Sequence, residues 1–175
     1  MPTILTHPAV ALLKTWCPRL SGRVAATGAF LSILPDFDVI AFPLGIPYEH
    51  LLGHRGITHS IAFAVAMAAL ATSILRDAPR RPAFLFLLVC ALAHPLLDAL
   101  TDGGLGVALF APFSNERIFF AWTPIRVSPI GAGFFSARGM ETVWSEVRWV
   151  WGPVGVIGIL GKYARDRKLE ARKER

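Results

Sequence analysis

Histidine and aspartate side chains recur in this sequence at spacings that suit a metal site. His94 and Asp98 are four positions apart, so on a helix both side chains lie on one face. Asp36 and Asp38 follow a proline, and on an extended segment they would point the same way and repel each other without a cation between them. Imidazole and carboxylate groups are ligands for zinc and similar divalent ions. An intrahelical hydrogen bond and a solvated capping turn are the plainer interpretations of the two pairs.

The most specific stretch of the sequence places two histidines and an arginine before an apolar helix. His54, Arg55 and His59 precede this helix, and Thr58 or Ser60 could cap it. Backbone N–H groups at such a helix start, together with a bidentate arginine, favour an anion such as phosphate. A juxtamembrane anchor is the alternative, but an anchor would not need two histidines.

Four apolar stretches are available to position these side chains. They are residues 24–34, 61–75, 83–97 and 147–160. Since a membrane-spanning helix needs about 20 residues, we predict spans over residues 58–75 and 82–100. The first and last stretches are weaker candidates for tilted, re-entrant or interfacial segments. With 54% hydrophobic and 17% charged residues, the composition favours a membrane protein over a soluble α-bundle and excludes disordered, collagen-like and coiled-coil chains.

Positive charge is concentrated beside these apolar stretches. Three arginines and two prolines lie in the turn at residues 76–82. Residues 162–175 contain seven Lys/Arg and three acidic residues, so they carry +4 of the net charge of +6. Under the positive-inside rule these segments face the cytoplasm, as does a third basic group at residues 14–23. A basic tail could bind nucleic acid, but beside an apolar segment it is more simply a lipid anchor, and we expect no nucleic-acid partner.

Antiparallel hairpins would bring the ionisable side chains together on the face opposite the basic turns. The histidines and aspartates at those distant helix ends are His7, Asp36, Asp38, His54, His59, His94, Asp98 and Asp102. We therefore predict an all-α, integral membrane helical bundle with a metal-ligand cluster at the helix ends on one membrane face. Residues 1–161 would form the membrane-embedded domain, and residues 162–175 a basic cytoplasmic tail.

Taken together, these motifs resemble the YdjM family of small inner-membrane proteins from bacteria and archaea. The resemblance covers roughly residues 1–160. The positions that carry it are His7, residues 34–38, 54–60 and 94–98, Asp102, and a weaker later motif at residues 128–131 and Glu146. That family is described as LexA-regulated, metal-dependent hydrolases. It is in turn similar to the zinc-dependent phospholipase C and P1 nuclease superfamily, which are helical phosphodiesterases with three zinc ions.

The resemblance implies a set of metal ligands. The superfamily's His-x-x-x-Asp element is matched by His94 and Asp98, but its later His-x-x-x-Glu pair is matched only at Glu146, because Thr142 replaces the histidine. The expected cofactor is one to three divalent ions, zinc first among them, and the missing histidine favours a mono- or dinuclear site. The candidate ligands are His7, Asp36, His54, His59, His94, Asp98 and Glu146.

The predicted function is hydrolysis of a phosphoester bond in a phospholipid or lipid-linked phosphate. Divalent ions lower the pKa of bound water, and a second ion about 3.5–4 Å away would stabilise the attacking and leaving oxygens. Arg55 is the candidate phosphate clamp, and Asp38 and Asp102 are candidate ligands, supporting partners or general bases. The alternatives are a non-enzymatic metal-binding membrane protein with a transport or membrane-stress role, and a structural membrane protein. We expect a multi-pass protein of the inner membrane whose site lies on the extracytoplasmic face.

Overall fold

A computed structural model describes residues 1–129 and 131–173 of the chain, and within them it is helical. The α-helices are α1 Gly22–Leu31, α2 Ile61–Ile74, α3 Arg80–Ala99, α4 Ala137–Glu146 and α5 Gly152–Lys173. Shorter 3-10 segments are His7–Trp16, Leu34–Ala41, Ile57–His59 and Gly131–Phe135, and a π-helical turn is Val147–Trp151. The described residues contain isolated β-bridges but no strand, which confirms the prediction of an all-α fold.

The core forms where α1, α2, α3 and the first 3-10 segment pack together. A short turn joins α2 to α3, and His59 just before α2 lies beside Asp98 near the end of α3, so the two helices are antiparallel. Gly28 lets α1 approach α3 closely, because a Cβ atom there would lie 2.8 Å from Cys90 Sγ. This packing fixes one end of the bundle, where the ionisable residues gather.

Two segments are long and apolar enough to cross a membrane by length and composition. Gly22–Ala41, which joins α1 to the following 3-10 segment, and Arg80–Ala99 each have 20 residues, with mean hydropathies of 1.5 and 1.8. The second matches the span predicted over residues 82–100. The first was expected to be a weaker candidate, because the apolar run in the sequence stops near residue 34.

The span predicted over residues 58–75 is wrong in its length. Helix α2 has 14 residues, which corresponds to about 21 Å, whereas the hydrocarbon core of a bilayer is about 30 Å thick. The helix begins later than predicted because the Ser60 hydroxyl accepts a hydrogen bond from Phe63 N at 3.0 Å and caps it. Residues Ile57–His59 form a separate 3-10 turn instead.

Residues 100–129 form an irregular segment that covers the helix ends near the ionisable cluster. Its backbone accepts a hydrogen bond from Ile61 N at Leu109 O, and Phe120 N donates to Ala99 O, both at 2.9–3.0 Å. Ala108 N also donates to Arg55 O at 3.0 Å. The segment therefore shields this end of α2 and α3 from solvent.

The C-terminal helices return to the N-terminal segment. Helix α5 packs against His7–Trp16, where Trp16 Nε1 donates to Ile157 O at 2.8 Å. It continues to Lys173 without a break at residue 162, where the sequence predicts the start of a separate tail; residues 174–175 lie outside the described part.

Candidate metal centre

Four buried side chains converge at one end of the bundle. Asp36, His59, His94 and Asp98 each offer one ligand atom, and these atoms all lie within 4.8 Å of one another. His94 Nε2 is 3.0 Å from His59 Nε2 and 3.5 Å from Asp36 Oδ1, while Asp98 Oδ2 is 3.4 Å from His59 Nε2. Two imidazoles and two carboxylates are a donor set that suits zinc or a similar divalent ion.

The hydrogen bonding of this group supports a cation. Both carboxylate oxygens of Asp36 and both of Asp98 are buried, and no group in the described part of the chain donates a hydrogen bond of good geometry to them; the Arg55 guanidinium forms an ion pair with Asp98. A buried carboxylate that lacks partners is expensive, and such charges in proteins are usually paired or bound to metal. These oxygens face His59 and His94, so an ion between the four side chains would contact several ligand atoms at once. The residues present therefore fit a divalent metal.

His7 lies against the same four residues. It begins the first 3-10 segment, as the sequence predicts, and its ring stacks on that of His94 with centroids 3.9 Å apart. His7 Nε2 is 3.9 Å from Asp36 Oδ2 and 3.8 Å from Asp98 Oδ1, and both ring nitrogens are buried without hydrogen bonds. Burial, reinforced by the neighbouring His94, lowers the pKa of His7 to about 3. The ring is therefore neutral at physiological pH and keeps a lone pair for a metal.

A backbone carbonyl orients His94. His94 Nδ1 lies 2.7 Å from Ser32 O, and since a carbonyl only accepts, Nδ1 carries the proton. The Nε2 lone pair then faces the cluster, which is the arrangement that outer partners impose on metal-binding histidines. The i, i+4 spacing also has its predicted effect, because His94 Nε2 and Asp98 Oδ2 lie 4.0 Å apart on one face of α3.

Asp36 and Asp38 do not point the same way. On an extended segment they would do so, but Pro35 lies in the first turn of the 3-10 helix Leu34–Ala41, in which three residues make one turn. Two positions then differ by about two-thirds of a turn. Asp36 faces the central group, and Asp38 faces the opposite side of His59.

Asp38 is fully partnered, in contrast to Asp36. Its Oδ1 lies 2.6 Å from His54 Nδ1. Its Oδ2 accepts hydrogen bonds from Arg55 N at 3.1 Å and Thr58 Oγ1 at 2.6 Å, and it lies 3.1 Å from His59 Nδ1. Asp38, His54 and His59 form a second group with metal-ligand spacing, but the hydrogen bonds already satisfy the Asp38 carboxylate. Its clearest role is to orient His59 toward the central group.

His59 belongs to both groups, and its ring is in the charged, doubly protonated form at neutral pH. Burial opposes its charged form, but the close carboxylates of Asp36, Asp38 and Asp98 outweigh burial and raise the pKa of His59 to about 10. Nδ1 lies 3.1 Å from both Thr58 Oγ1 and Asp38 Oδ2, and Nε2 faces the central group. A metal ion bound through Nε2 would have to displace the proton on that atom.

Arg55 is buried beside the site and is not exposed to solvent. The side chain is 1% exposed, and its Nε lies 3.1 Å from Asp98 Oδ2. Its Nη1 and Nη2 groups donate to Gly103 O at 3.0 Å and Thr101 Oγ1 at 3.2 Å. Arg55 has a positive φ of 61°, which is uncommon outside glycine. Each of its three side-chain nitrogens thus lies within 3.2 Å of an oxygen of the protein, and its predicted contact with a substrate phosphate stays a prediction.

Asp102 lies beside the site but outside both groups. Its Oδ2 accepts from Arg126 Nη1 and its Oδ1 from Val127 N, both at 2.8 Å. Partial burial opposes ionisation, but these hydrogen bonds outweigh it and lower the pKa of Asp102. Its carboxylate is partly exposed and joins the two ends of the covering segment.

Glu146 is also outside both groups, although the sequence predicts it as a ligand. The carboxylate is buried and accepts hydrogen bonds from Thr3 N, from Thr3 Oγ1 at 2.6 Å and from Thr6 Oγ1 at 2.6 Å. It therefore fixes the residues that lead into His7. Of the weaker motif at residues 128–131, Ser128 N donates to Met1 O at 3.0 Å, and Ile130 lies outside the described residues.

Sequence reasoning missed several residues that support the site. Ser32 orients His94 through its carbonyl, and Thr101 binds Arg55. Arg117 donates to His54 O at 2.9 Å and to Tyr48 O at 3.0 Å, so it fixes the loop that carries His54. Backbone carbonyls exist at every residue, so their choice as partners leaves no signal in a single sequence.

Comparisons with known proteins agree with the motifs. The chain matches the YdjM inner membrane protein family over residues 1–167. It is 39% identical over 160 residues to inner membrane protein YbcI of Escherichia coli (strain K12), a match that covers 87% of this chain and 92% of that protein. No solved structure matches the chain. The family resemblance inferred from the sequence is confirmed.

Proposed function

This chain belongs to the YdjM inner membrane protein family, and we propose that it is a membrane-bound, metal-dependent hydrolase of phosphoester bonds. One observation carries the proposal: two histidines and two aspartates, whose oxygens accept no hydrogen bond from the described residues, meet in a buried group with metal-ligand spacing. His7 is positioned to join them. Zinc is our first choice of ion, because nitrogen and oxygen donors in a small compact group are its usual ligands.

In this proposal some residues would bind the metal ion and others would orient the residues that bind it. His94, His59, Asp36 and Asp98 hold the ion, which supplies Lewis acidity that lowers the pKa of water and polarises a phosphoryl oxygen. Asp38 keeps the His59 ring turned toward the group. Arg55 offsets the charge of Asp98 from the other side. The negative charge of the ligand group is thereby reduced, which favours binding of an anionic substrate.

A lipid-linked phosphoester is the substrate class that the position of the site favours. Asp98 is the penultimate residue of the candidate span Arg80–Ala99, and Asp36 lies near the end of the candidate span Gly22–Ala41. The ligands therefore lie at helix ends, where phosphate headgroups of a bilayer are found. Under the positive-inside rule this end faces away from the cytoplasm, because the basic turn at residues 76–82 lies at the other end of α2 and α3.

The first test is metal analysis followed by activity measurements. The full chain is purified in detergent, its metal content is determined, and phosphodiester, phosphomonoester and lipid substrates are screened. His94→Ala and Asp98→Asn should lose bound metal and hydrolysis together, whereas His50→Ala should keep both, because His50 is exposed and outside the cluster. Protein without stoichiometric metal, or ligand variants with unchanged activity, would refute the proposal.

A non-enzymatic metal-binding protein is the second candidate, and the closure of the site favours it. Asp98, His59 and His94 are fully buried, and Arg55 occupies one side of Asp98. Structural metal sites are closed, whereas catalytic sites keep an open coordination position. Cobalt-substituted protein separates the two functions. A change in its visible spectrum on addition of inorganic phosphate supports a catalytic site, and an unchanged spectrum without hydrolysis supports a closed one.

A further inference from the structure

Helix α4 has its polarity reversed relative to a helix of a water-soluble protein. Its buried face consists of small and polar residues, namely Gly139, Thr142, Ser145 and Glu146. Its exposed face carries large apolar side chains, of which Met140 is 70% and Trp144 is 69% exposed. In water the apolar stripe of an amphipathic helix faces the core. Here the apolar stripe faces outward.

The buried polar face is fully used by the rest of the protein. The Ser145 hydroxyl accepts from Arg126 N at 3.0 Å, and Thr142 Oγ1 lies 3.4 Å from Val127 O, to which it donates. Glu146 accepts from Thr3 and Thr6. These hydrogen bonds fix the rotation of α4 about its axis. The outward position of the apolar side chains is therefore determined by specific contacts.

The apolar face borders a groove that could hold a hydrocarbon chain. Phe134 and Phe135 form one wall, and the other wall is formed by residues of α4 and the following turn, namely Met140, Val143, Trp144 and Val147. The volume is about 460 Å³, within the range of roughly 300–1,000 Å³ found for small-molecule sites. The described residues that line it include no charged side chain. Its chemistry fits an acyl chain.

The other edge of α4 is charged. Arg138 and Glu141 line a separate pocket of about 290 Å³ together with Asp102 and Arg126. Helix α4 therefore separates a charged pocket, next to the segment that covers the metal centre, from an apolar groove. With 10 residues it is about 15 Å long, half the thickness of the hydrocarbon core, so it is too short to span a membrane. A short helix with one charged and one apolar edge suits the plane of the membrane interface.

We propose that α4 lies in the membrane interface and that its groove binds an acyl chain of a membrane lipid. Membership of an inner membrane family and the exposed apolar residues that continue along α5, such as Val156 and Ile159, favour lipid over a protein partner. Burial of the face in lipid removes from water the large side chains that the fold leaves outside. The inference rests on membrane residence and is independent of hydrolysis.

Spin labels on neighbouring positions of α4 test its location. The full chain, with Cys17 and Cys90 replaced by alanine, carries a nitroxide at Met140→Cys or at Glu141→Cys in vesicles of phosphatidylethanolamine and phosphatidylglycerol. We expect the label at position 140 to collide with oxygen and to be shielded from a polar nickel chelate, and the label at position 141 to show the reverse. Equal access of the chelate to both labels would exclude the interfacial location.

A photoreactive lipid tests the groove itself. Phosphatidylcholine with a diazirine in one acyl chain is added to the same vesicles, and adducts are mapped by mass spectrometry. Val143→Trp should reduce adducts at the groove several-fold, because the larger ring fills it, whereas Val156→Trp on the exposed face of α5 should not. Two results would overturn acyl-chain binding: no adducts at the groove, as when a protein partner covers it, or adducts unchanged by Val143→Trp.

Discussion

Among single residues, the site depends on how differently two neighbouring aspartates, Asp36 and Asp38, are hydrogen-bonded. Asp36 keeps both oxygens free of hydrogen bonds, while Asp38 has four partners. A free buried carboxylate is suited to a cation, and a saturated one is suited to orienting a histidine. The two residues therefore lie on opposite sides of the His59 ring, Asp36 with the central group and Asp38 as the partner that orients the ring.

Loss of the Asp38 carboxylate should weaken metal binding without removing a ligand. Asp38→Asn keeps the size of the side chain but removes the ionised partner at Nδ1 of both His59 and His54. Supporting partners of metal-binding histidines contribute about 10–100-fold in affinity, and we expect a loss of that size in a competition with a chelator. Asp77→Asn in the exposed turn before α3 is the matched control and should bind metal normally. Equal affinity for both variants would contradict the role assigned to Asp38.

Metal binding should release a proton at neutral pH. The pKa of His59 is raised to about 10, so its ring is protonated below that pH and the proton on Nε2 must leave when an ion binds. The apparent affinity should therefore rise as the pH increases from 6 toward about 10. Titration calorimetry in two buffers of different ionisation enthalpy measures the number of protons released. A heat that is the same in both buffers would contradict this prediction.

At the scale of elements, the N-terminal segment is held in place by a helix far away in sequence. Glu146 at the end of α4 accepts hydrogen bonds from Thr3 and Thr6, and Trp151 Nε1 donates to Thr6 Oγ1 at 3.0 Å. The same segment leads directly into His7. Helix α4 thus helps to position His7, a candidate ligand of the metal centre.

Removal of the Glu146 carboxylate should destabilise the protein and disturb His7. Leaving buried hydroxyl and amide donors unsatisfied costs about 1–3 kcal/mol, so Glu146→Ala should lower the melting temperature in detergent. Glu141→Ala, on the exposed edge of the same helix, should have little effect. The imidazole signal of His7 in a histidine-labelled NMR spectrum should shift in the first variant only. An unshifted signal would separate Glu146 from the metal centre.

At the scale of the whole molecule, charge is sorted between the two ends of the bundle. The cluster of histidines and aspartates lies where α2 begins and α3 ends, and the arginines of residues 76–82 lie where α2 ends and α3 begins. Positively charged segments remain on the cytoplasmic side of membranes. The arrangement predicts an orientation for the whole chain.

Labelling of single cysteines should place the two ends on opposite sides of the membrane. Leu44→Cys follows the first candidate span in a strongly exposed position, and Tyr163→Cys lies on α5 at the start of the basic region. In intact cells from which the outer membrane has been removed, a membrane-impermeant maleimide should label position 44 and not position 163. Labelling of both positions from outside would overturn the predicted topology.

The amino-acid sequence was enough to predict the helical class, the family and a set of candidate metal ligands. These properties depend on local patterns: apolar runs of helical length, the four-residue spacing of His94 and Asp98, and the order of residue types around His54 and His59. Helical periodicity acts over a few residues, so such inferences need no knowledge of the packing. Convergence of the ligands followed from antiparallel hairpins, and the structure confirms it.

The tertiary structure decided which members of that inventory are free to bind an ion. It separates Asp36 from Asp38 through a 3-10 turn, buries Arg55 against Asp98, and directs Glu146 to Thr3, 143 positions away. These outcomes depend on hydrogen bonds between distant segments, and a buried polar group takes whichever partner the packing provides. Local sequence patterns contain no information about that partner, which is why only the folded chain distinguishes ligands from the residues that position them.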